Sequence, residues 1–462
     1  MPRSEWIAAA GTMPVPAAAG TGVWPGAGER ELALDEAERQ VLADIRALGW
    51  WSRHRLLDED DPTAVQCELR SADGAEIPYG LGSGKGPKAQ ARVGAHFEAL
   101  EHAFSGPVVL DSLPVRLCDP GDLLAGPLGA ERAVRELAGQ GNARIACLPY
   151  RALDGGTPVD VPLALWAPWY PLPTEAMARE RARLGDSADY RPVLSYTVNT
   201  GCAIGATEDE ALLHALNEWA ERDAFSLFLL RSVYDGGAMP ARIPSGAVPG
   251  FLKERLDRAA VLVDGPVVLL DLTTDLGIPV VMAYAPESGG GAAHRYGLGA
   301  SLSGETAVER AVTELVQGEL LARVVAEHDR DAAARDRHAD RLSFARVVAD
   351  HDIADAVRDR LAGHPRLLAC AHLDFAGRLD EAPMTGMPPE TVPPGTSVPR
   401  QRAVAVERIA AAGHRVVVHR LRALDHGTTV VQVQCPGLER FHLITKGHLA
   451  LPGPRGRRLR GR

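Results

Sequence analysis

The sequence predicts a mixed α/β–α+β fold in which sheets are packed by helices. Four short runs rich in β-branched residues read as strands: GPVVLLDL (265–272), IPVVMAYA (278–285), HRVVVHRL (414–421) and TTVVQVQC (428–435). Apolar residues recur at helical spacing over 87–104, 207–230, 303–327 and 399–412. Strands interleaved with helices in one chain indicate a layered mixed fold.

Taken in order, residues 1–29 are rich in Ala, Gly and Pro and are expected to be disordered or loosely packed. Residues 30–49 have helical spacing, with Leu34, Val41, Ile45 and Leu48 on one side. The rest of 30–80 is an extension of helix and strand without further assignment. A single block of 81–450 follows, with no clean boundary inside it. Within it, 323–344 is highly charged and reads as an exposed helix or helix pair, and the Pro-rich stretch 382–399 reads as an irregular loop. Residues 451–462 form a basic tail, expected to be solvated.

Composition narrows the function. The chain of 462 residues is 46% apolar and carries a net charge of −10, which disfavours a general nucleic-acid binder. No apolar run approaches the roughly 20 residues of a membrane helix, and the N-terminus is unlike a signal peptide. The six cysteines form no CxxC pair, so they are read as reduced thiols in the cytoplasm.

One pattern occurs three times. ARVGAHFEALE (91–101), ALLHALNEWAE (211–221) and AVERAVTELVQ (307–317) all fit A-x-x-x-A-x-x-E-x-x-[E/Q]. On helices, the second segment sets Leu212, Ala215, Leu216 and Trp219 opposite Glu218 and Glu221. The third sets Val308, Ala311, Val312 and Leu315 opposite Arg310, Glu314 and Gln317. In the first, Val93, Phe97, Leu100 and Phe104 form the expected stripe, with Glu98 and Glu101 beside it. Thr207 and Ser303 are expected N-caps, and Pro87 suits a first turn. Gly-containing stretches precede all three helices at 81–87, 199–205 and 295–304. They read as loops whose amides could face phosphate.

A lone ExxE is ordinarily a solvated helix face. Three copies in one frame are harder to explain that way, and shared alanines alone explain close packing but not the glutamates. Several carboxylates in one cleft repel unless cations neutralise them, and Mg2+ takes oxygen ligands from carboxylates and phosphates. Lys85, Arg222 and Arg310 could hold phosphate oxygens. Together these suggest a nucleoside triphosphate site without a Walker loop. Cys202 reads as a small packing residue, and Asp223, projecting toward the apolar stripe, as a group bonded to a backbone amide or orienting Arg222.

Four blocks in order resemble the YcaO family: GSGKGPKAQARVGAHFEALEH (82–102), NTGCAIGATEDEALLHALNEWAERDAF (199–225), LGASLSGETAVERAVTELVQ (298–317) and DHGTTVVQVQCPGLE (425–439). The resemblance implies an ATP- and Mg2+-dependent enzyme acting on peptide backbone amides. It implies that Glu98, Glu101, Glu218, Glu221 and Glu314 hold Mg2+, while Lys85, Asn199, Arg222, Arg310 and Gln317 contact ATP or position those glutamates. The foremost implied reaction is cyclodehydration of Cys, Ser or Thr to an azoline in a ribosomally made precursor peptide. A thioamide- or amidine-forming enzyme is the alternative, and a non-catalytic peptide-binding scaffold is the alternative of another class. No catalytic residue of its own is assigned, because the nucleophile comes from the substrate. A separate leader-peptide-binding partner and a homodimer are implied. Many members have Ser where this chain has Ala95 and S-N-G where it has N-T-G at 199–201. Azoline-forming members often carry a PxPxP tail, where LALPGPRGRRLRGR offers only Pro452 and Pro454.

Overall fold

In the computed structural model, residues 6–8, 28–153, 155–287, 294–330 and 360–459 are described, with 7–8 and 327–330 as backbone alone. Most of the expected N-terminal disorder, the charged stretch beyond Arg330 and the tail's last three residues lie outside them. The strands are β1 (Ile7–Ala8), β2 (Trp50–Leu56), β3 (Thr63–Ser71), β4 (Glu76–Gly86), β5 (Arg116–Cys118), β6 (Ile145–Ala152), β7 (Val159–Pro162), β8 (Cys202–Gly205), β9 (Ala241–Ile243), β10 (Val268–Asp271), β11 (Val280–Ala285), β12 (Arg295–Ala300), β13 (Val417–Ala423) and β14 (Thr429–Gln434). The helices are α1 (Leu34–Ala47), α2 (Lys88–Ser105), α3 (Pro120–Ala125), α4 (Arg132–Ala138), α5 (Glu175–Leu184), α6 (Glu208–Phe228), α7 (Gly250–Leu262), α8 (Gly304–Arg330), α9 (Pro365–His372), α10 (Val398–Ala411) and α11 (Pro454–Leu459).

The strands form three sheets, ordered β1-β2-β3-β4, β12-β11-β10-β9 and β5-β6-β13-β14-β8, with β7 added on β6. The pairs within the sheets are antiparallel, which makes this the α+β form of the expected mixed class. β10, β11, β13 and β14 fall on the four apolar runs. Residues 382–397 contain no helix or strand, as expected of the Pro-rich loop. Among the described residues, no helix is long and apolar enough to cross a membrane.

The three stretches expected to be loops are largely strands, which corrects the sequence reading. Residues 81–86 lie in β4, 202–205 are β8 and 295–300 are β12. Their glycines serve close packing. A Cβ on Gly84 would strike the Ala91 carbonyl, and one on Gly82 would meet the Ala95 carbonyl and Ala99 amide. Gly299 and Gly297 stand in the same relation to Ala307 and Ala311, and Gly205 to the Ala211 amide. Each strand therefore lies directly on the backbone of the helix that follows it, and the shared alanines keep that approach open.

The stripes on α6 and α8 pack as expected. Leu212, Ala215, Leu216 and Trp219 enter one core with β13 and β14, and Val308, Ala311, Val312 and Leu315 enter another with β11. On α2 the core face is instead Ala91, Ala95, Ala99, Leu100, Ala103 and Phe104. Phe97 is only partly buried, and both it and Val93 line a cavity. The Gly-bearing strand selects the alanine side of α2, which turns Val93 and Phe97 away from the sheet.

The three strand–helix units form a ring. Besides its own strand, α2 contacts β8, α6 contacts β12, and α8 contacts β4. Each helix thus covers the strand of the next unit, and the last returns to the first. β4 crosses residue 80, so the unassigned extension and the block after it share one sheet.

Candidate active site

A cavity of about 880 Å³ lies within the ring, inside the size range of small-molecule sites. Lys85, Glu98, Glu101, Asn199, Glu218, Glu221, Arg222, Arg310, Glu314 and Gln317 all line it. The helical offset of three places each ExxE or ExxQ pair on one side of its helix. The period of two along β4 gives Lys85 and Ser83 one face, opposite Gly84.

Charged contacts cross between units. Lys85 Nζ on β4 pairs with Glu314 Oε2 on α8 at 2.6 Å, and Gln317 Nε2 donates to the Ser83 carbonyl. Within α6, Arg222 Nη1 lies 3.3 Å from Glu221 and its Nε 3.8 Å from Glu218. Glu218 Oε2 accepts the Gly201 amide at 3.0 Å. That amide is aimed by Gly201's φ of +83°, where a side chain would also strike the Val433 carbonyl. The N-x-G stretch is therefore a turn that delivers one donor to the first acid of α6. At the helix start, Thr207 Oγ1 accepts the Glu210 amide at 3.2 Å, and Ser303 Oγ accepts the Thr306 amide at 3.2 Å, as the caps predicted.

The acids share one strongly negative field. Burial raises the pKa of Glu101 well above the usual carboxylate value, and Glu98 and Glu218 push it further. Burial also raises Glu98 and Glu218 against the opposing pull of nearby basic groups, with Glu314 adding to the rise in both. Glu221 rises through burial, with Glu314 and Glu218 contributing and Arg222 and Lys85 opposing. Burial acts on Glu314 too, but Lys85 and Arg222 outweigh it and hold its pKa low. Five carboxylates thus face Lys85, Arg222 and Arg310, and Arg310 is already paired with a further acid, Glu29.

Among the described residues, no three His, Cys, Asp or Glu side chains stand together as a preformed metal cluster. Glu314 is instead held by Lys85, Glu221 by Arg222 and Glu218 by the Gly201 amide. The donor chemistry nevertheless fits Mg2+: oxygen ligands on separate helices, short of compensating positive charge, beside a cavity able to admit phosphate.

Two residues at or beside the cavity escaped the sequence reading. His214 sits one turn before Glu218, open to the cavity but enclosed by its walls. That enclosure, with Arg310, Arg30 and Lys85, drives its pKa well down. Its offset of four from Glu218 was the available signal. Glu29 is buried, although the sequence placed it in a disordered segment. Cys202 lines the cavity as a buried thiol raised far above its usual pKa by burial, Glu101 and Glu218, consistent with packing and unsuited to nucleophilic attack.

Asp223 points away from the cavity. It accepts the Glu439 amide at 2.8 Å and a bidentate pair from Arg455, with Nε at 2.8 Å and Nη2 at 2.9 Å. Arg455 also bonds Asp275, and it is only 3% exposed. The basic tail is therefore not simply solvated. One of its two acidic partners, Asp223, is itself buried, and the amides of Gly453 and Gly456 fasten the tail to Glu439 as well.

Comparison with known proteins bears on the fold and the family. The structure is similar to that of YcaO from Methanopyrus kandleri bound with AMPPCP and Mg2+, with a TM-score of 0.58, 22% identity, and coverage of 92% of this chain and 96% of that one. It is also similar to a heterocyclase in complex with substrate and cofactor, with a TM-score of 0.58, 21% identity, and coverage of 89% and 53%. At those identities the likeness concerns the fold. An uncharacterised protein in the tfuA 3′ region of Rhizobium leguminosarum bv. trifolii is 40% identical over 86 residues, 18% of this chain and 19% of the relative. The chain spans less than a third of the curated relatives it matches. A family model described as YcaO cyclodehydratase, ATP- and Mg2+-binding, matches residues 83–439 and takes in all ten of those cavity residues. This chain therefore belongs to the YcaO cyclodehydratase family, whose cofactors are ATP and Mg2+.

Proposed function

We propose that the chain is an enzyme that modifies peptide backbone amides with ATP and Mg2+, and that it forms azolines from Cys, Ser or Thr in a ribosomally made precursor. The observation that supports this reading is the meeting of Lys85, Glu98, Glu101, Asn199, Glu218, Glu221, Arg222, Arg310, Glu314 and Gln317 around one cavity. Glu98, Glu101, Glu218, Glu221 and Glu314 would hold Mg2+. Lys85, Asn199, Arg222, Arg310 and Gln317 would contact the nucleotide or fix those acids. When bound, ATP supplies the phosphoryl group that makes an amide oxygen able to leave. The protein's own contribution is positional and electrostatic: Lys85, Arg222 and Arg310 would supply fixed cationic donors to the phosphoryl oxygens, and the walled cavity would limit water. The nucleophile is the substrate's side chain, which suits a site whose thiol, Cys202, is inert. A separate protein would deliver the peptide.

The alternative keeps the same site and forms a thioamide or an amidine instead.

Glu218→Gln tests the core of the proposal. It is expected to abolish ATP-dependent modification while the protein stays folded and still captures peptide. Modification at the normal rate would remove Glu218 from the metal set. Product mass separates the subtypes: loss of water marks a ring or amidine, and exchange of oxygen for sulfur marks a thioamide.

A further inference from the structure

Glu29 lies outside the matched span and outside every motif block, yet it is only 4% exposed. Its carboxylate joins three elements of the ring. Arg310 Nη2, on α8, donates to it at 2.5 Å. Asn217 Nδ2, the residue before Glu218 on α6, approaches at 3.3 Å. Ser301 Oγ, just past β12, donates as well. Burying a carboxylate is costly unless its lone pairs are filled, and here the partners come from two of the three acid-bearing helices. Arg310 Nη1 is meanwhile held by the Ala300 carbonyl at 2.8 Å, so its planar fork is fixed from two sides.

We propose that Glu29 is a positioning residue for the site: it holds the Arg310 guanidinium in one orientation and sets α6 against α8. This rests on reading the cavity as the MgATP site. Without Glu29, Arg310 is left beside the acids that line the same cavity. A guanidinium swung there would neutralise charge that the cations require and leave its own station empty.

The test is calorimetric titration of the full chain with ATP and Mg2+, using the parent, Glu29→Gln, Arg310→Gln and the double variant. Glu29→Gln keeps an acceptor for Asn217 and Ser301 but loses the charge facing Arg310. Measurable binding by the parent is the control for the nucleotide reading; its absence sinks that reading and this inference with it. Given parent binding, Glu29→Gln is expected to weaken the Kd about tenfold. The double variant is expected to bind no more than about twofold worse than Arg310→Gln alone, the non-additivity of residues acting through one another. A merely structural Glu29 would lower the melting temperature and add its full effect to that of Arg310→Gln. Binding by Glu29→Gln within about twofold of the parent, or full additivity, overturns the proposal. Should Glu29→Gln fail to fold, Ser301→Ala loosens Glu29 without touching Arg310. It is expected to weaken binding about threefold, and an unchanged Kd there overturns the proposal equally.

Discussion

Helix α6 presents acids to two opposite environments. Toward the cavity, Glu218 and Glu221 lie 3.3–3.8 Å from a single shared Arg222, with further carboxylates nearby. On the other side, Asp223 is fully buried and accepts a bidentate guanidinium and a backbone amide. One set of acids is short of positive charge and the other is saturated with donors. The shortfall marks the side that awaits a ligand, and saturation marks the side that holds the fold.

The comparison can be broken first at its saturated end. Arg455→Ala strips Asp223 of its partner in a dry setting. Loss of one member of a buried pair costs about 3–5 kcal/mol, so the urea midpoint should fall steeply. A shift below about 1 kcal/mol would mean that Asp223 is not held as described. The sheet-facing side is next. Gly299→Ala drives a Cβ into the Ala307 carbonyl, and overpacking of this kind costs about 1–3 kcal/mol. Its melting temperature should drop, whereas Gly318→Ala on the open side of α8, where a Cβ meets nothing within 4 Å, should leave it unchanged or raised.

The smallest effect runs the other way and sharpens the contrast. Glu101 has its pKa raised by burial and by neighbouring acids. Above the ordinary carboxylate pKa, the unfolded chain releases a proton that the native one retains. Stability from this group therefore falls as pH rises, until the raised native pKa is passed. Glu101→Gln should stabilise the metal-free protein at pH 8 by about 1 kcal/mol, the scale of relieving functional strain, and flatten the fall between pH 5 and 8. The same variant should bind MgATP more weakly. A lower melting temperature at pH 8 without Mg2+ would contradict the proposed shortage of positive charge.

Much of the ring was legible because its signals are local. A repeated helical pattern placed Glu218 and Glu221 on the cavity face of α6 and Arg310, Glu314 and Gln317 on that of α8, and apolar runs located β10, β11, β13 and β14. What remained hidden depended on distance or on ambiguous residues. β2, WWSRHRL, shows no inside–outside alternation, and the glycines of β4 read as loop when their role is contact with α2. The Val93–Phe97 stripe was misassigned for the same reason, since strand glycines, not hydrophobicity, chose the face. Glu29 and Arg455 meet partners 281 and 232 residues away, and no local pattern reports such a pairing.

The third unit of the ring departs from the paired acids of the other two. Where α2 and α6 offer a second acid, α8 offers the amide of Gln317, and that amide is spent on the Ser83 carbonyl of the neighbouring strand. A sixth carboxylate there would add negative charge to acids that already raise one another's pKa. The neutral amide spares the enclosure that repulsion and bolts α8 to β4, so the wall that closes the ring is fastened by the protein's own backbone.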